Sequence, residues 1–149
     1  MTDIDKRPLG MQINILSNLF RQAVAEEARQ KGIPCSYFPI IRYLKMNEQK
    51  NITQSDICDF LHFKPSSISV TLQSMENEGL LTRFKSPDDN RKTYVKLSEK
   101  GQESDRKIRL SYSKIEDYMK SLVNDDVETF KKCLVVLINA LEEGGEVNG

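Results

Sequence analysis

The chain has 149 residues, of which 38% are hydrophobic and 30% charged, with a formal net charge of zero and a pI near 6.6. This length suits one domain, or a small domain with a dimerisation arm, and the modest hydrophobic content favours a core shared between subunits. A neutral chain is not a general polyanion binder, so any contact with nucleic acid must come from a local charge asymmetry. The sequence has no run of about 18 apolar residues and no basic-then-apolar leader, so we expect neither a membrane span nor a secretory signal.

Cysteine and histidine are too few and too scattered to indicate a metal centre. Cys35, Cys58 and Cys133 are odd in number, have no C-x-x-C spacing and share the chain with a single histidine. We therefore expect a reducing compartment, the cytoplasm, with no metal site and no cofactor. A cysteine nucleophile paired with His62 would lack a third residue to orient the base, so we predict that the protein is not an enzyme.

Two helices are predicted before residue 50. In residues 10–31 apolar side chains recur on two adjacent ridges, and so wide an apolar band must be covered by more than one neighbour, which fits a dimer seam. Gly32 then ends this helix. After a loop, Ser36 is a candidate N-cap for a helix at residues 37–46.

A helix-turn-helix is predicted next. The first helix runs from Thr53, its N-cap, to about Leu61, with Asp56 near the position where a capping box carries Glu or Gln. A three-residue link leads to Pro65, which suits the first position of a second helix that ends near Glu78. Helices joined by so few residues form a tight turn. The side chains predicted to face inward are Ile57, Phe60 and Leu61 in the first helix and Ile68, Leu72 and Met75 in the second.

The outward face of the second helix carries small hydroxyls, amides and one methyl-bearing side chain. Such side chains can approach base edges, because Gln and Asn pair with adenine, Ser bonds to several acceptors and Val contacts a thymine methyl. A solvated helix face has a similar composition, so the interpretation depends on the segment that follows. The face comprises Ser66, Ser67, Ser69, Val70, Gln73, Ser74 and Asn77.

A basic hairpin follows Gly79, which stands where a helix normally ends in a left-handed residue. Residues 80–85 and 92–97 are rich in β-formers, and the segment SPDDNR between them predicts an exposed turn. Between Leu81 and Lys100 six basic residues face three acidic ones, so this element is net +3 in a neutral chain. Positive charge on a projecting element favours phosphate binding.

Two helices are predicted after the hairpin. Ser98 is the N-cap of the first, at residues 98–122, whose charged start, QESDRKIR, we interpret as a solvated connector. Apolar residues at positions 108, 112, 115, 119 and 122 alternate spacings of four and three, which suits packing against another helix. The last helix, at residues 127–141, presents Phe130, Leu134, Leu137, Ile138 and Leu141.

The segment GLLTRFKSPDDNRKTYVKLSEKG resembles the wing signature of the MarR family of bacterial transcription regulators. The flanking helices agree with the family's plan, so the resemblance covers most of the chain. It implies a mainly α fold with a small β-wing. Residues 1–34 would be an N-terminal dimerisation helix, 35–100 a winged helix-turn-helix DNA-binding domain, and 101–149 C-terminal dimerisation helices. The residues that carry it are Asp89, Arg91, Val95, Leu97, Ser98 and Gly101, with Thr53, Ile57, Leu61, Pro65 and Ser66 upstream.

The resemblance also implies a homodimer on double-stranded DNA, with the helix that begins at Pro65 in the major groove and Arg91 in the neighbouring minor groove. We expect a sequence-specific regulator, a repressor that occupies a pseudo-palindromic operator. The alternative is a winged-helix protein-protein interaction module with little DNA affinity. The predicted phosphate contacts are Lys64, Arg83, Arg91, Lys92 and Lys96, the predicted base readers are Ser66, Ser67, Ser69, Val70 and Gln73, and Ser74 and Asn90 complete the DNA-binding set.

Three features depart from the family pattern. Lys64 stands where family members often carry a Ser or Thr cap, Val70 and Ser74 occupy the positions of a frequent basic side chain, and Asn90 replaces one arginine of an Asp-Arg-Arg tip. Fewer phosphate contacts would weaken binding and flatten its salt dependence.

An effector cleft and a redox thiol are two further hypotheses. The resemblance suggests that a small aromatic or amphipathic effector binds between the dimer arm and the reading domain and spreads the two reading helices, although an aromatic cluster at helical spacing is also ordinary core. Cys35 lies at a helix entrance, where it is either a redox-active thiol or an incidental one. The predicted pocket residues are Phe20, Tyr37, Phe38, Ile41 and Arg42.

Overall fold

The computed structural model describes residues 3–144, which fall into two compact units, one ending at Tyr112 and the other beginning at Ser113. The fold is mainly helical with a small antiparallel sheet, as predicted. The domain boundaries expected from the sequence stay a prediction. The elements are α1 (Leu9–Lys31), α2 (Phe38–Met46), β1 (Ile52–Thr53), α3 (Gln54–Leu61), α4 (Pro65–Asn77), β2 (Leu81–Lys85), β3 (Thr93–Leu97), α5 (Glu99–Val123) and α6 (Val127–Glu142), with single 3-10 turns at Asp3–Lys6, Cys35–Tyr37 and Asn124–Asp126.

The core of the first unit is formed by the inner faces of α2, α3 and α4 with one side of the sheet. Ile57 of α3 is fully buried, and the predicted inner stripe of α4 is confirmed because Ile68, Leu72 and Met75 are all buried. Helices amphipathic at a spacing of three and four residues bury one face in this way. Buried apolar side chains of α2 and the sheet include Phe38, Ile40, Ile41, Leu44, Ile52, Leu81 and Val95.

One side chain of α3 does not lie where the sequence predicted. Phe60 was expected to face the core, but its side chain is 58% exposed and stacks on Tyr43 with ring centroids 4.5 Å apart. Cys58 is buried instead, next to Ile57. The core-facing stripe of this eight-residue helix is therefore rotated by part of a turn, which periodicity cannot fix over so short a helix.

The sheet contains a strand that the sequence did not predict. Its order is β1-β3-β2, all antiparallel, and Val95 pairs with Ile52 on one side and Arg83 on the other. The predicted hairpin of β2 and β3 is confirmed. β1 has only two residues, too few to show the alternation that identifies a strand, but it places the start of α3 beside the hairpin.

The start of α5 is not a solvated connector, which corrects the prediction. Asp105 and Ile108 are fully buried, and Ser104 and Ser111 are also buried. The charged side chains that suggested solvent exposure lie on the other faces of the helix, where Glu103 and Arg106 form an exposed ion pair. The start of α5 is therefore part of the first unit.

In α1 and α6 many apolar side chains are exposed in this single chain. No residue of α6 is buried, and none of the helices in residues 3–144 is both long and apolar enough to cross a membrane. Large exposed apolar surfaces of soluble chains are typical of protein-protein contacts. The exposed apolar side chains are Leu9, Met11, Ile13, Leu16 and Leu19 in α1, and Phe130, Val135, Val136, Leu137, Ile138 and Leu141 in α6.

Candidate nucleic-acid interface

The turn between α3 and α4 is fixed by local hydrogen bonds. Thr53 and Asp56 form the expected capping box, in which Asp56 N donates to Thr53 Oγ1 (3.2 Å) and Thr53 N donates to Asp56 Oδ2 (2.9 Å). α3 ends at His62, which has a left-handed backbone (φ 55°), and α4 begins three residues later at Pro65. Gln54 Nε2 of α3 donates to the Pro65 carbonyl (3.3 Å). This bond joins α3 to the first turn of α4.

The outward face of α4 is exposed and carries no charged side chain among its predicted base readers. Ser66, Ser67, Ser69, Val70 and Gln73 are all exposed, and Val70 is 70% exposed. Such a face can form hydrogen bonds and methyl contacts in a groove but contributes no phosphate-binding cation.

The two ends of α4 are held differently. At its start Lys64 is exposed and its side chain makes no capping bond, so the first N–H groups of the helix are not capped by this side chain. At its end the N–H of Gly79 (φ 75°) donates to Glu76 and that of Leu80 donates to Met75, which satisfies the last carbonyls in a Schellman motif. A free helix N-terminus attracts anions because its N–H groups and dipole point outward.

Tyr37 also binds the last turn of α4. The buried Tyr37 hydroxyl donates to Glu78 Oε1 (2.6 Å) and also bonds to Ser74. Burial, and then the hydrogen bond to Glu78, raises the pKa of Tyr37 to about 12. Ser74, predicted as part of the DNA-binding face, is half-buried and engaged from inside the domain.

The wing tip, residues 86–92, is an ordered turn that presents Arg91. The buried Ser86 hydroxyl accepts from the N–H groups of Asp88 and Asp89. Asp89 in turn accepts from the backbone and the guanidinium of Arg91, and these bonds hold the pKa of Asp89 below its ordinary value. The Arg91 side chain is still 90% exposed, so it is oriented by Asp89 but open to a ligand.

The other predicted DNA-binding residues of the wing differ in their surroundings. Asn90 and Lys92 are exposed at the tip, and the Lys96 ammonium lies 5.4 Å from the centre of the Phe84 ring. Arg83 is three-quarters buried, and its Nε lies 2.9 Å from Glu76 Oε2 of α4. This contact is an ion pair without a directed hydrogen bond, since Arg83 Nε and Nη2 are buried and unbonded. Arg83 therefore contacts α4.

A mostly apolar cleft of about 510 Å³ lies between α1, the start of α2 and the first half of α4. Of the five residues predicted for an effector pocket, only Phe20 lines it. Phe38 and Ile41 are fully buried in the core, Tyr37 is bonded to Glu78, and Arg42 is paired with Asp105. The lining residues are Phe20, Arg21, Val24, Cys35, Ser36, Pro39, Ile40, Phe63, Ser67, Ile68, Thr71 and Tyr112.

One wall of the cleft is formed by α4, through Ser67, Ile68 and Thr71. Cys35, the candidate redox thiol, also lines the cleft and is exposed, as is expected of either a reactive or an incidental cysteine. Within residues 3–144 no group of three or more His, Cys, Asp or Glu side chains could hold a metal ion.

Comparison with known proteins agrees with this geometry. Residues 38–101 match a family model described as a winged helix DNA-binding domain. The uncharacterized HTH-type transcriptional regulator YdgJ of Bacillus subtilis (strain 168) is 31% identical over 72 residues, which are 48% of this chain and 42% of that protein. The chain thus spans less than half the length of this relative.

Solved structures extend the match to both flanking regions. The transcription regulator MarR from Oenococcus oeni PSU-1 is 28% identical, with a TM-score of 0.73 over 89% of this chain and 99% of that one. The chain therefore contains a winged helix domain and is similar to MarR regulators over most of its length. The S. aureus MepR-DNA complex, 20% identical, has a TM-score of 0.83 over 91% of this chain and 99% of that one, and a MarR regulator from Methanosarcina mazei Go1, 21% identical, has 0.76 over 90% and 96%. These two show the same fold.

Several contacts in the structure were not found from the sequence. Glu76, Glu78 and Asp105 carry no motif, and their partners lie 7, 41 and 63 residues away in the chain. The sequence carried a signal only for the pair of Arg83 and Glu76. Glu76 is the one charged residue of α4, and an isolated acidic residue is expected to attract the nearest cation.

Proposed function

We propose that this chain is a sequence-specific DNA-binding transcription regulator. In this proposal α4 enters the major groove, where Ser66, Ser67, Ser69, Val70 and Gln73 read base edges. Arg91 enters the adjacent minor groove. The observation that carries the proposal is the exposed, uncharged face of α4 held beside a wing tip whose arginine is fixed by Asp89 yet 90% exposed.

Phosphate contacts would come from both sides of this face. Lys64 and the uncapped N-terminus of α4 can bind one phosphate, and Lys92 and Lys96 of the wing can bind others. Arg83 contributes less than the sequence predicted, because Glu76 neutralises it. We therefore expect modest affinity and a shallow salt dependence.

We further propose that the regulator is a homodimer and represses a promoter by occupying a pseudo-palindromic operator. The support is the apolar surface of α1 and α6, which a single chain leaves exposed. A two-fold dimer would present two α4 helices to half-sites about one helical turn apart. The protein would act in the cytoplasm, where its three free cysteines stay reduced, and without catalysing a reaction.

A small amphipathic effector would bind the apolar cleft and release the DNA. Because Ser67 and Thr71 of α4 line this cleft, a ligand there touches the reading helix directly. The cleft's volume falls within the range of small-molecule sites.

Selection of bound duplexes from a random library by the purified protein tests the proposal. A palindromic product with half-sites one turn apart would support both DNA reading and dimer symmetry. Failure to enrich any sequence at low ionic strength would refute it.

A protein-docking module is the second candidate, and the lack of cations on the outward face of α4 favours it. Fluorescence anisotropy with random duplex DNA separates the two functions. Affinity that does not change between about 50 and 200 mM salt would support the docking module, whereas a linear fall of log K with log salt would support DNA binding.

A further inference from the structure

Asp105 is a carboxylate in the first half of α5 whose side chain is completely buried. Its neighbours on the inner face of the helix, Ser104, Ile108 and Ser111, are buried as well. Burying a charged side chain is unfavourable unless it is paired. The partners of Asp105 therefore indicate which parts of the fold its charge connects.

Two arginines pair with Asp105, and they come from different elements. Arg42 Nη1 of α2 donates to Asp105 Oδ1 at 2.6 Å, and Arg109 Nε of α5 lies 3.1 Å from Asp105 Oδ2. The Arg42 side chain is 28% exposed and that of Arg109 is 54% exposed. Only the Arg42 contact joins two elements, because Arg109 is one turn along the same helix.

The two elements joined by this contact have different roles. α2 contributes Phe38, Ile41 and Leu44 to the core of the first unit. The buried side chains of α4 belong to the same core. α5 continues to Val123, and its residues from Ser113 onward belong to the other compact unit. The ion pair between Arg42 and Asp105 therefore joins α2 to the first half of α5, the helix that continues into the other unit.

We propose that Asp105 and Arg42 are positioning residues that set the half-site spacing accepted by the dimer. The inference rests on the proposed function. In a dimer joined through its terminal helices, the orientation of one α4 relative to the α4 of the partner subunit would depend on how α5 is joined to α2. A charged hydrogen bond is short and directional, so it restricts this angle more than apolar packing does.

The test compares two variants that each remove one partner of Asp105. Arg42→Gln removes the contact between the elements, and the matched control Arg109→Gln removes the contact within α5. Each protein is titrated by fluorescence anisotropy with the palindrome selected by the wild type and with versions whose half-sites are one base pair closer or farther apart. One base pair rotates a half-site by roughly 35° about the helix axis, since a turn contains about 10 base pairs.

We expect the wild type and Arg109→Gln to discriminate equally against the altered spacings. Arg42→Gln should lose discrimination by about twofold or more, the lower range found for residues that couple distant sites. Asp105→Asn, which keeps the side-chain shape, should lose it as well. A general loss of folding would lower affinity for all three duplexes equally, so the ratio of dissociation constants isolates positioning.

Discrimination by Arg42→Gln equal to that of the wild type would overturn the inference while leaving DNA reading intact. Absence of any selected palindrome for the wild type would instead refute the proposed function. If circular dichroism shows that Arg42→Gln is unfolded, Arg42→Lys replaces it, because Lys keeps the charge but not the planar guanidinium. Retention of the full spacing ratio by Arg42→Lys together with Asp105→Asn would equally overturn the inference.

Discussion

Gly101 lies directly against the carbonyl oxygen of Leu80, so close that a Cβ on Gly101 would be 2.1 Å from that oxygen. Leu80 follows α4, and Gly101 lies in the first turn of α5. The same carbonyl accepts the N–H of Ser98, and the Ser98 hydroxyl caps α5 by accepting from the N–H of Gly101. The glycine that closes the wing motif therefore lets α5 approach the end of α4.

We predict that Gly101→Ala destabilises the protein by about 1–3 kcal/mol, because backbone rather than a flexible side chain would have to move. Urea unfolding followed by circular dichroism measures this change. Gly10→Ala in α1 is the matched control, since nothing lies within 4 Å of the added Cβ and alanine favours a helix. Equal stability of Gly101→Ala and the wild type would show that the two segments separate readily.

Arg91→Ala should weaken operator binding by about tenfold or more, the value of one charged hydrogen bond. The salt slope should also fall by about one unit if Arg91 displaces one counterion. The measurement is anisotropy at several salt concentrations. Arg29→Ala in α1 is the control, because Arg29 is also exposed and paired with an acidic residue three positions away. A salt slope for Arg91→Ala identical to that of the wild type would show that the wing tip is not part of the DNA interface.

The fold was largely predictable because its signals are local. Thr53 with Asp56, Pro65 and Gly79 each fix a helix end through bonds within a few residues, and the structure shows all of them. The inner stripe of α4 followed from spacing alone. The wing motif had a physical reason for its last residue, since Gly101 meets Leu80.

The parts that could not be predicted depend on which segments meet in space. The charged run around Asp105 looked solvated because its partner Arg42 is 63 residues away. For the same reason Arg42 and Tyr37 were assigned to a pocket, although they bind Asp105 and Glu78. Periodicity identifies a face of a helix but does not tell a polar contact within the core from a ligand site.

Gln73→Ala should change sequence preference more than total affinity. Gln73 is exposed on the outward face of α4, and its side chain donates to Asn77 Oδ1 (3.0 Å), which orients the amide. A bidentate amide-adenine pair contributes about 1–3 kcal/mol of discrimination against a wrong base. Selection from the random library should therefore lose information at one symmetric pair of positions. Gln30→Ala in α1 should leave the selected sequence unchanged, and an unchanged consensus for Gln73→Ala would exclude base reading by this residue.

The raised pKa of the Tyr37 hydroxyl predicts that the protein loses stability at alkaline pH. The folded protein holds the pKa of Tyr37 at about 12, above the ordinary value of 10.0, because burial and the bond to Glu78 disfavour the phenolate. A raised pKa stabilises the fold fully below pH 10, and this contribution is lost between about pH 10 and 12, where the unfolded chain releases the proton first.

Tyr37→Phe lacks this titration. It should be less stable at pH 8 by about 1 kcal/mol, because the hydrogen bond to Glu78 is gone. The difference in unfolding free energy between the wild type and Tyr37→Phe should narrow as pH rises above 10 in urea titrations. A difference that stays constant to pH 11.5 would show that the phenol ionises as easily in the folded protein as in the unfolded one.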